Sequence, residues 1–263
     1  MDWTLICATN DEQILRSCLL SSPDLPAARD VLLQRGFDGA AAAYNAAMDK
    51  ARSDLLVFVH QDVYLPAGWL ARVENAVGMI SEKDPDWGVL GVWGVQTSGE
   101  RAGLVYDGGW GRILGGQFDG GLEVESLDEM VLILRKSAGL NFDPRIAGFH
   151  MYGTDICLEA KRRGKKCYAI AALSIHNTNQ YWMLPWQFWK GYWAMRKKWR
   201  AQLPVKTTCT DITRWCWPMI RWNVVRGVNL LTRRDSAPLK RVADPRHLYQ
   251  ELIASGKVAP IIA

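Results

Sequence analysis

No stretch of this 263-residue chain reaches about 18 uninterrupted apolar residues, so no membrane-spanning helix is expected. The opening "MDWTLICATNDE" has no basic segment ahead of a long apolar one, and no secretory signal is expected there. Cys7, Cys18, Cys157, Cys167, Cys209 and Cys216 are never spaced C-x-x-C, which argues against a zinc knuckle or a disulfide framework. They read as free thiols of a reducing cytoplasm. Internal repeats and low-complexity tracts are absent. With 49% apolar and 22% charged residues, the composition is that of an ordered globular protein able to bury a substantial core.

What the chain has in excess is local. Residues 180–241 contain 13 Lys or Arg against 2 Asp or Glu, while the whole chain nets only +5, and they hold 8 of the 13 tryptophans. The contrast divides the chain into an α/β body, residues 1–177, and a helical, basic, tryptophan-rich extension, residues 178–263. Trp182, Trp186, Trp189 and Trp193 recur at steps of 4, 3 and 4, which predicts a helix carrying them on one face. Such a stripe suits core packing, a lid over an acceptor, or peripheral contact with an anionic membrane through 180–241. Nucleic acid is not an expected partner, because no recognition motif accompanies the charge.

The body alternates strands and helices, the pattern of a mainly parallel sheet. "TLICAT" predicts a first strand, followed by a helix in "NDEQILRSCLL" with capping-box spacing from Thr9 to Glu12. "AARDVLLQRG" predicts a second strand and "GAAAAYNAAMDKA" a helix. "DLLVFVHQD" is apolar without alternation from Leu55 to Val59, as a strand covered on both faces should be. Pro66 suits the first turn of a helix whose Leu70, Val73 and Val77 share a face. "WGVLGVWGV" and "EMVLILRK" predict further strands, "YGTDICLEAKRRG" a helix closed by Gly164, and "KCYAIAALSIH" the last strand of the body.

The third strand ends on His60, Gln61 and Asp62. Ligands in open α/β sheets bind at the carboxyl ends of strands, so a polar cluster there reads as a site. The plainer alternative is that Asp62 caps a turn and His60 is a hydrogen-bonded core histidine.

Taken in order, "YNAAMDKARSDLLVFVHQDVYLPAGW", "FDPRIAGFHMYGTDICLEAKRRGKKCYAI" and a strand ending in "SIH" resemble the inverting glycosyltransferases of family 2 with the GT-A fold. More closely, they resemble the bacterial branch that carries "HQDV" in place of a full Asp-x-Asp signature. The resemblance covers about residues 3–177 and fails over the extension. It implies a metal-dependent transferase moving a sugar from a nucleotide-sugar donor to a saccharide or lipid-linked acceptor in bacterial surface-glycan assembly. The donor implied is a UDP-sugar, with a GDP-sugar as the alternative. Its place would be the cytoplasm, at the inner face of the membrane if the extension makes contact.

Carried over by residue, the resemblance implies that Asp62 binds Mn²⁺ or Mg²⁺ holding the donor diphosphate, with His60 and Gln61 beside it in the signature's place. His60 departs from the pattern, standing where many relatives have an acid. Asp155 matches the family's general base, and His176 the histidine that completes the metal shell. Thr9, Asn10 and Asn45 match nucleotide contacts. The acid that reads uracil after the second strand has no clear counterpart, since Asp30 and Asp38 are both poorly placed. Trp110, in the glycine-rich "GGWGRILGG" that predicts a flexible loop, together with Asp128, Glu129 and His150, falls near the acceptor.

Each residue also has a structural reading: Thr9, Asn10 and Asp155 as helix caps, Asn45 as a buried amide bridging loops, His150 and His176 as packing or hydrogen-bonded histidines. A catalytically silent GT-A-like domain that binds glycan or an anionic surface is the rival function, and a retaining transferase the third.

Overall fold

The computed structural model describes residues 1–179, 183–232 and 239–259. Strand β1 (Trp3–Ala8) is buried on both faces and leads into helix α1 (Glu12–Ser17). The cap of α1 is Asp11, whose carboxylate accepts from the Gln13 and Ile14 amides, so the expected box from Thr9 does not form. β2 (Asp30–Gln34), α2 (Ala40–Lys50) and β3 (Leu55–Val59) follow as the pattern predicts, and every residue of β3 is buried. After the two-residue β4 (Val63–Tyr64), helix α3 (Trp69–Lys83) turns Trp69, Val73, Ala76 and Ile80 inward. Pro66 lies just ahead of α3, its carbonyl accepting from the Trp69 amide, rather than within its first turn.

Two apolar runs that read as single strands are each divided. "WGVLGVWGV" forms β5 (Val89–Gly91) and β6 (Trp93–Val95), which lie in different sheets. A run buried throughout carries no periodicity that marks where a chain leaves one sheet for another. β7 (Arg101–Asp107) crosses this break at Gly103, where φ is +130° and a Cβ would stand 2.0 Å from the Val92 carbonyl oxygen. The glycine-rich "GGWGRILGG", expected as a flexible loop, contains β8 (Arg112–Gly115), paired antiparallel with β7, so Trp110 sits at a hairpin tip.

The short β9 (Leu122–Glu123) and β10 (Ser126–Leu127) precede β11 (Val131–Arg135). Helix α4 (Tyr152–Arg162) follows. "KCYAIAALSIH" is then divided like the first run, into β12 (Cys167–Ala169) and β13 (Ser174–His176).

The main sheet has seven strands in the order β2-β1-β3-β11-β5-β12-β9, with β1, β2 and β3 parallel and β11 antiparallel between β3 and β5. A second sheet runs β10-β6-β7-β13-β4, with β8 on β7. This is the mixed α/β architecture that the sequence pattern predicts. One face of the main sheet packs on α1 and α3, the other on α2 and α4.

The extension supplies α5 (Trp186–Lys198), α6 (Trp217–Leu231) and α7 (Pro245–Ala254). Phe188, Tyr192, Met195 and Trp199 bury against Ile146, Met151 and Leu158 of the body, while Tyr249 and Leu252 bury against Tyr64, Leu104 and Ile175. The buried face of α5 is therefore not the tryptophan stripe. Trp189 is half-buried, whereas Trp186 and Trp193 are exposed and stack edge to face 5.2 Å apart; Trp182 lies outside the described residues. Among the described residues, no helix is long and apolar enough to cross a membrane.

Candidate functional site

A cleft of about 1540 Å³ opens at the carboxyl ends of β1, β2 and β3. That volume exceeds what a single drug-sized ligand needs. Backbone pairing assembles its centre. β3 delivers His60 and Asp62, and β4 then pairs with β13 in a register that puts His176 opposite Val63, so Asp62 and His176 become neighbours. β7 runs parallel to β13 with Asp107 across from His176.

His176 Nε2 lies 3.5 Å from Asp62 Oδ1, and its Nδ1 lies 3.6 Å from Asp107 Oδ2. The rings of His60 and His176 are 5.9 Å apart. His60, Asp62 and His176 each offer an atom, and the three atoms lie within 4.8 Å of one another. Burial works against the Asp62 charge, but His176, His60 and Arg241 outweigh it and hold the carboxyl well below its usual range. Burial likewise opposes the His176 charge, yet Asp62 and Asp107 raise its pKa well above the ordinary value. His60 is pulled the other way: burial lowers it to about 4 and keeps the ring neutral.

This donor set fits a divalent cation. It offers an ionised Asp62 carboxylate, the neutral imidazole of His60, and His176 Nε2, which faces Asp62 and would give up its proton on binding the ion. The Tyr152 hydroxyl, which the sequence reading did not single out, sits 2.7 Å from His60 Nε2 and 3.3 Å from the Glu129 carbonyl. A carbonyl can only accept, so when Tyr152 gives it the proton, His60 Nε2 donates and Nδ1 keeps a free lone pair.

Among the expected nucleotide contacts, Thr9, Asn10 and Gln61 all border the cleft but bind one another. Gln61 Oε1 accepts from Thr9 Oγ1 (2.7 Å) and from the Asn10 and Asp11 amides (3.1 Å each), while its nitrogen donates to Asn10 Oδ1. Gln61 thus clasps the β1–α1 turn to the end of β3. Asn45 lies outside the cleft lining, its amide bridged both ways to the Phe142 backbone, as the loop-bridging alternative has it. Asp38 does border the cleft just past β2, whereas Asp30 is paired with Arg52 at the other end of that strand.

Asp155 is the clearest correction. It is absent from the cleft lining, its side chain is only 3% exposed, and its oxygens are taken by Lys198 (2.8 Å) and the Trp199 indole (2.7 Å). Lys198 also pairs with Asp143 at 2.7 Å. The carboxylates that do reach the cleft near α4 are Asp128 and Glu129. Asp128 accepts from Thr208 Oγ1 and the Met130 amide.

Gly153 lets the chain at residues 127–129 approach α4 closely: a Cβ there would stand 2.8 Å from the Leu127 carbonyl oxygen and 3.0 Å from Glu129 Cγ. Burial raises the Glu129 pKa, and the neighbouring Asp128 adds to the rise, while the Met151 and Gly153 amides partly offset it.

Of the residues expected near an acceptor, His150 borders the cleft with its ring 5.4 Å from that of Phe188, so it both packs and faces the cavity. Trp110 is exposed at the rim, its backbone amide bound to Asp107 Oδ1, with the Arg112 guanidinium 5.6 Å above its ring.

Arg241 is a second residue beyond the reach of the sequence reading. Asn177 holds the Val242 backbone through both amide atoms (2.9 Å each), and Arg241 Nε donates to the Asn177 carbonyl at 2.6 Å. The guanidinium then reaches Asp62 Oδ2 at 3.2 Å. Only the excess of cations in the extension hinted at this partner.

Residues 4–185 match the profile of a family described as a glycosyltransferase-like family. A curated relative, "ATP synthase subunits region ORF 6" of Fuscovulum blasticum, is 29% identical over 130 residues, covering 47% of this chain and 51% of its own. The chain thus spans about half the length of the curated relative it matches.

Among solved structures, the chain is similar to S. aureus TarS 1–349 in complex with UDP-GlcNAc, with a TM-score of 0.48 at 12% identity over 78% of this chain and 67% of that one. It is also similar to the mannosyltransferase PcManGT of Pyrobaculum calidifontis in complex with GDP-Man and Mn²⁺, with a TM-score of 0.43 at 14% identity over 66% and 56%.

Proposed function

This chain belongs to the glycosyltransferase-like family, and we propose that it transfers a sugar, with inversion, from a nucleotide-sugar donor to a saccharide or lipid-linked acceptor on a GT-A scaffold. The observation that carries the reading is the convergence of His60, Asp62 and His176 at one point of a cleft wide enough for both substrates. A divalent cation held by these three would supply the positive charge that a departing diphosphate needs. Two imidazoles beside one carboxylate favour Mn²⁺ over Mg²⁺, which prefers oxygen ligands and retained water. The donor is a UDP-sugar in the first instance, with a GDP-sugar the alternative, and the pathway is assembly of a surface glycan.

Asp155 is held away from the cavity, so we assign the general base to Glu129. Its carboxylate takes the proton of an acceptor hydroxyl as that oxygen attacks the anomeric carbon. The bond from that carbon to the diphosphate breaks, and the electron pair leaves with the diphosphate. Burial keeps Glu129 more basic than an ordinary carboxylate, which suits the task. Asp128, beside it on the cleft wall, would contact the acceptor. Trp110 at the rim offers a ring for a sugar face.

One observation favours the rival, a catalytically silent binding domain: the Arg241 guanidinium already contacts Asp62 where a cation would bind. Calorimetric titration with UDP, GDP and CMP, each with and without Mn²⁺, on wild type and Asp62→Ala separates the two. The transferase reading expects one nucleotide to bind in a metal-dependent way, with the effect lost in Asp62→Ala. Absence of binding by any nucleotide at millimolar concentration, in folded protein, leaves the silent domain as the better account.

A further inference from the structure

Helix α6 has three faces with three different surroundings. Met219 and Asn223 are buried, Pro218, Arg221, Trp222, Val225, Arg226 and Asn229 border the cleft, and an outer face meets solvent. The solvent face is the apolar one. Trp217, Ile220, Val224, Val228 and Leu231 are each between 40% and 87% exposed. At 3.6 residues per turn they fall within about 80° of arc, a continuous stripe. Trp215, just before the helix, is 79% exposed as well. Single exposed hydrophobic residues need no explanation, but a stripe four turns long on the outside of a helix does.

We propose that this face of α6 docks on an anionic lipid surface. The stripe is embedded in positive charge: residues 183–232 contain nine Lys or Arg and a single acid, Asp211, which is paired with Lys206. Arg214 and Arg221 flank the stripe, both exposed and, among the described residues, without an acidic partner. An apolar helix face edged by arginines and carrying tryptophan is the pattern of a helix lying in the headgroup region, with the arginines on lipid phosphates and the rings at the apolar boundary. A second copy of the chain is the poorer occupant, because an isologous contact would set Arg214 and Arg221 against like charges. Docking through this face needs no catalytic activity. If the transferase reading also holds, it sets the cleft, which the same helix borders, at the membrane surface and favours an acceptor carried on a lipid.

The test uses the full chain with vesicles of phosphatidylcholine alone and of phosphatidylcholine mixed with phosphatidylglycerol, read by co-sedimentation and by tryptophan emission. The expected result is binding to the mixed vesicles with a blue shift, weakening as salt rises. Val224→Glu with Val228→Glu should abolish it, and Arg214→Ala with Arg221→Ala should weaken it about thirtyfold, with thermal unfolding unchanged because all four side chains are exposed. No binding at low salt, or binding indifferent to Val224→Glu/Val228→Glu, overturns the proposal. So does a wild-type dimer in solution that the same pair converts to monomer, since the face would then be a self-interface. Asp62→Ala should bind vesicles like wild type, so loss of donor binding and loss of docking are independent results.

Discussion

Two carboxylates near the start of α4 compete for the same description, and their surroundings separate them. Asp155 is buried against Lys198 and Trp199, and its neutralisation would leave Lys198 with Asp143 as its one acid. Asp155→Asn should therefore cost about 2 kcal/mol of stability, lowering Tm by roughly 4–8 °C, while the folded fraction keeps most of its kcat. Glu129→Gln should do the reverse, preserving Tm and lowering kcat by two or more orders of magnitude, roughly the worth of a general base.

The pH profile gives an independent reading. Burial raises the Glu129 pKa in the folded state, so folding holds a proton that the unfolded chain has released. Its contribution to stability is present below the unfolded carboxyl value and is lost as pH rises through the folded one. Activity should climb over that same rise in kcat/KM profiles, and Glu129→Gln should flatten the climb.

The contrast also marks the limit of reading residues from sequence. "HQD" and "SIH" were legible because strand ends announce themselves by where an apolar run stops. That Asp155 lies outside the cleft lining is not legible in the sequence, because spacing along a helix does not say which side of it the cavity lies on. Glu129 was legible as a cleft acid, but its fit against Gly153 exists only once β10, β11 and α4 are packed.

At the level of elements, α5 shows how composition can mislead. Two stripes of large residues share the helix, Trp186–Trp189–Trp193 and Phe188–Tyr192–Met195–Trp199, both at steps of 3 and 4. Periodicity identifies the helix and leaves open which stripe faces the core; here the body meets the second. Tyr192→Ala should thus destabilise by about 3–5 kcal/mol, whereas Trp186→Ala should change stability by less than about 0.5 kcal/mol, both measurable by denaturant unfolding. The strands tell a similar story. Regular alternation of α and β was readable, but the two divided runs were not, because residues buried on every side look the same in either sheet.

Across the whole molecule, the extension closes the site it follows. α5 and α7 bury their inner faces on opposite parts of the body, and the segment before α7 carries Arg241 to Asp62. Removing that guanidinium takes a positive charge from beside the carboxylate we propose as the metal ligand. Arg241→Ala should accordingly tighten Mn²⁺ binding, by several-fold for a partly exposed pair, and weaken nucleoside diphosphate binding, both read by calorimetry. If Arg241 serves only to hold the chain, Mn²⁺ affinity will not move.

The space at Gly153 also has an evolutionary reading. A Cβ there would meet the Leu127 carbonyl oxygen at 2.8 Å and Glu129 Cγ at 3.0 Å. The first of these is backbone, so the position stays closed to a larger residue whatever stands at 129. Relatives that keep this packing of strand against helix should therefore hold glycine at this point even where the acid at 129 has been exchanged, which makes the glycine a marker of the packing and not of the acid.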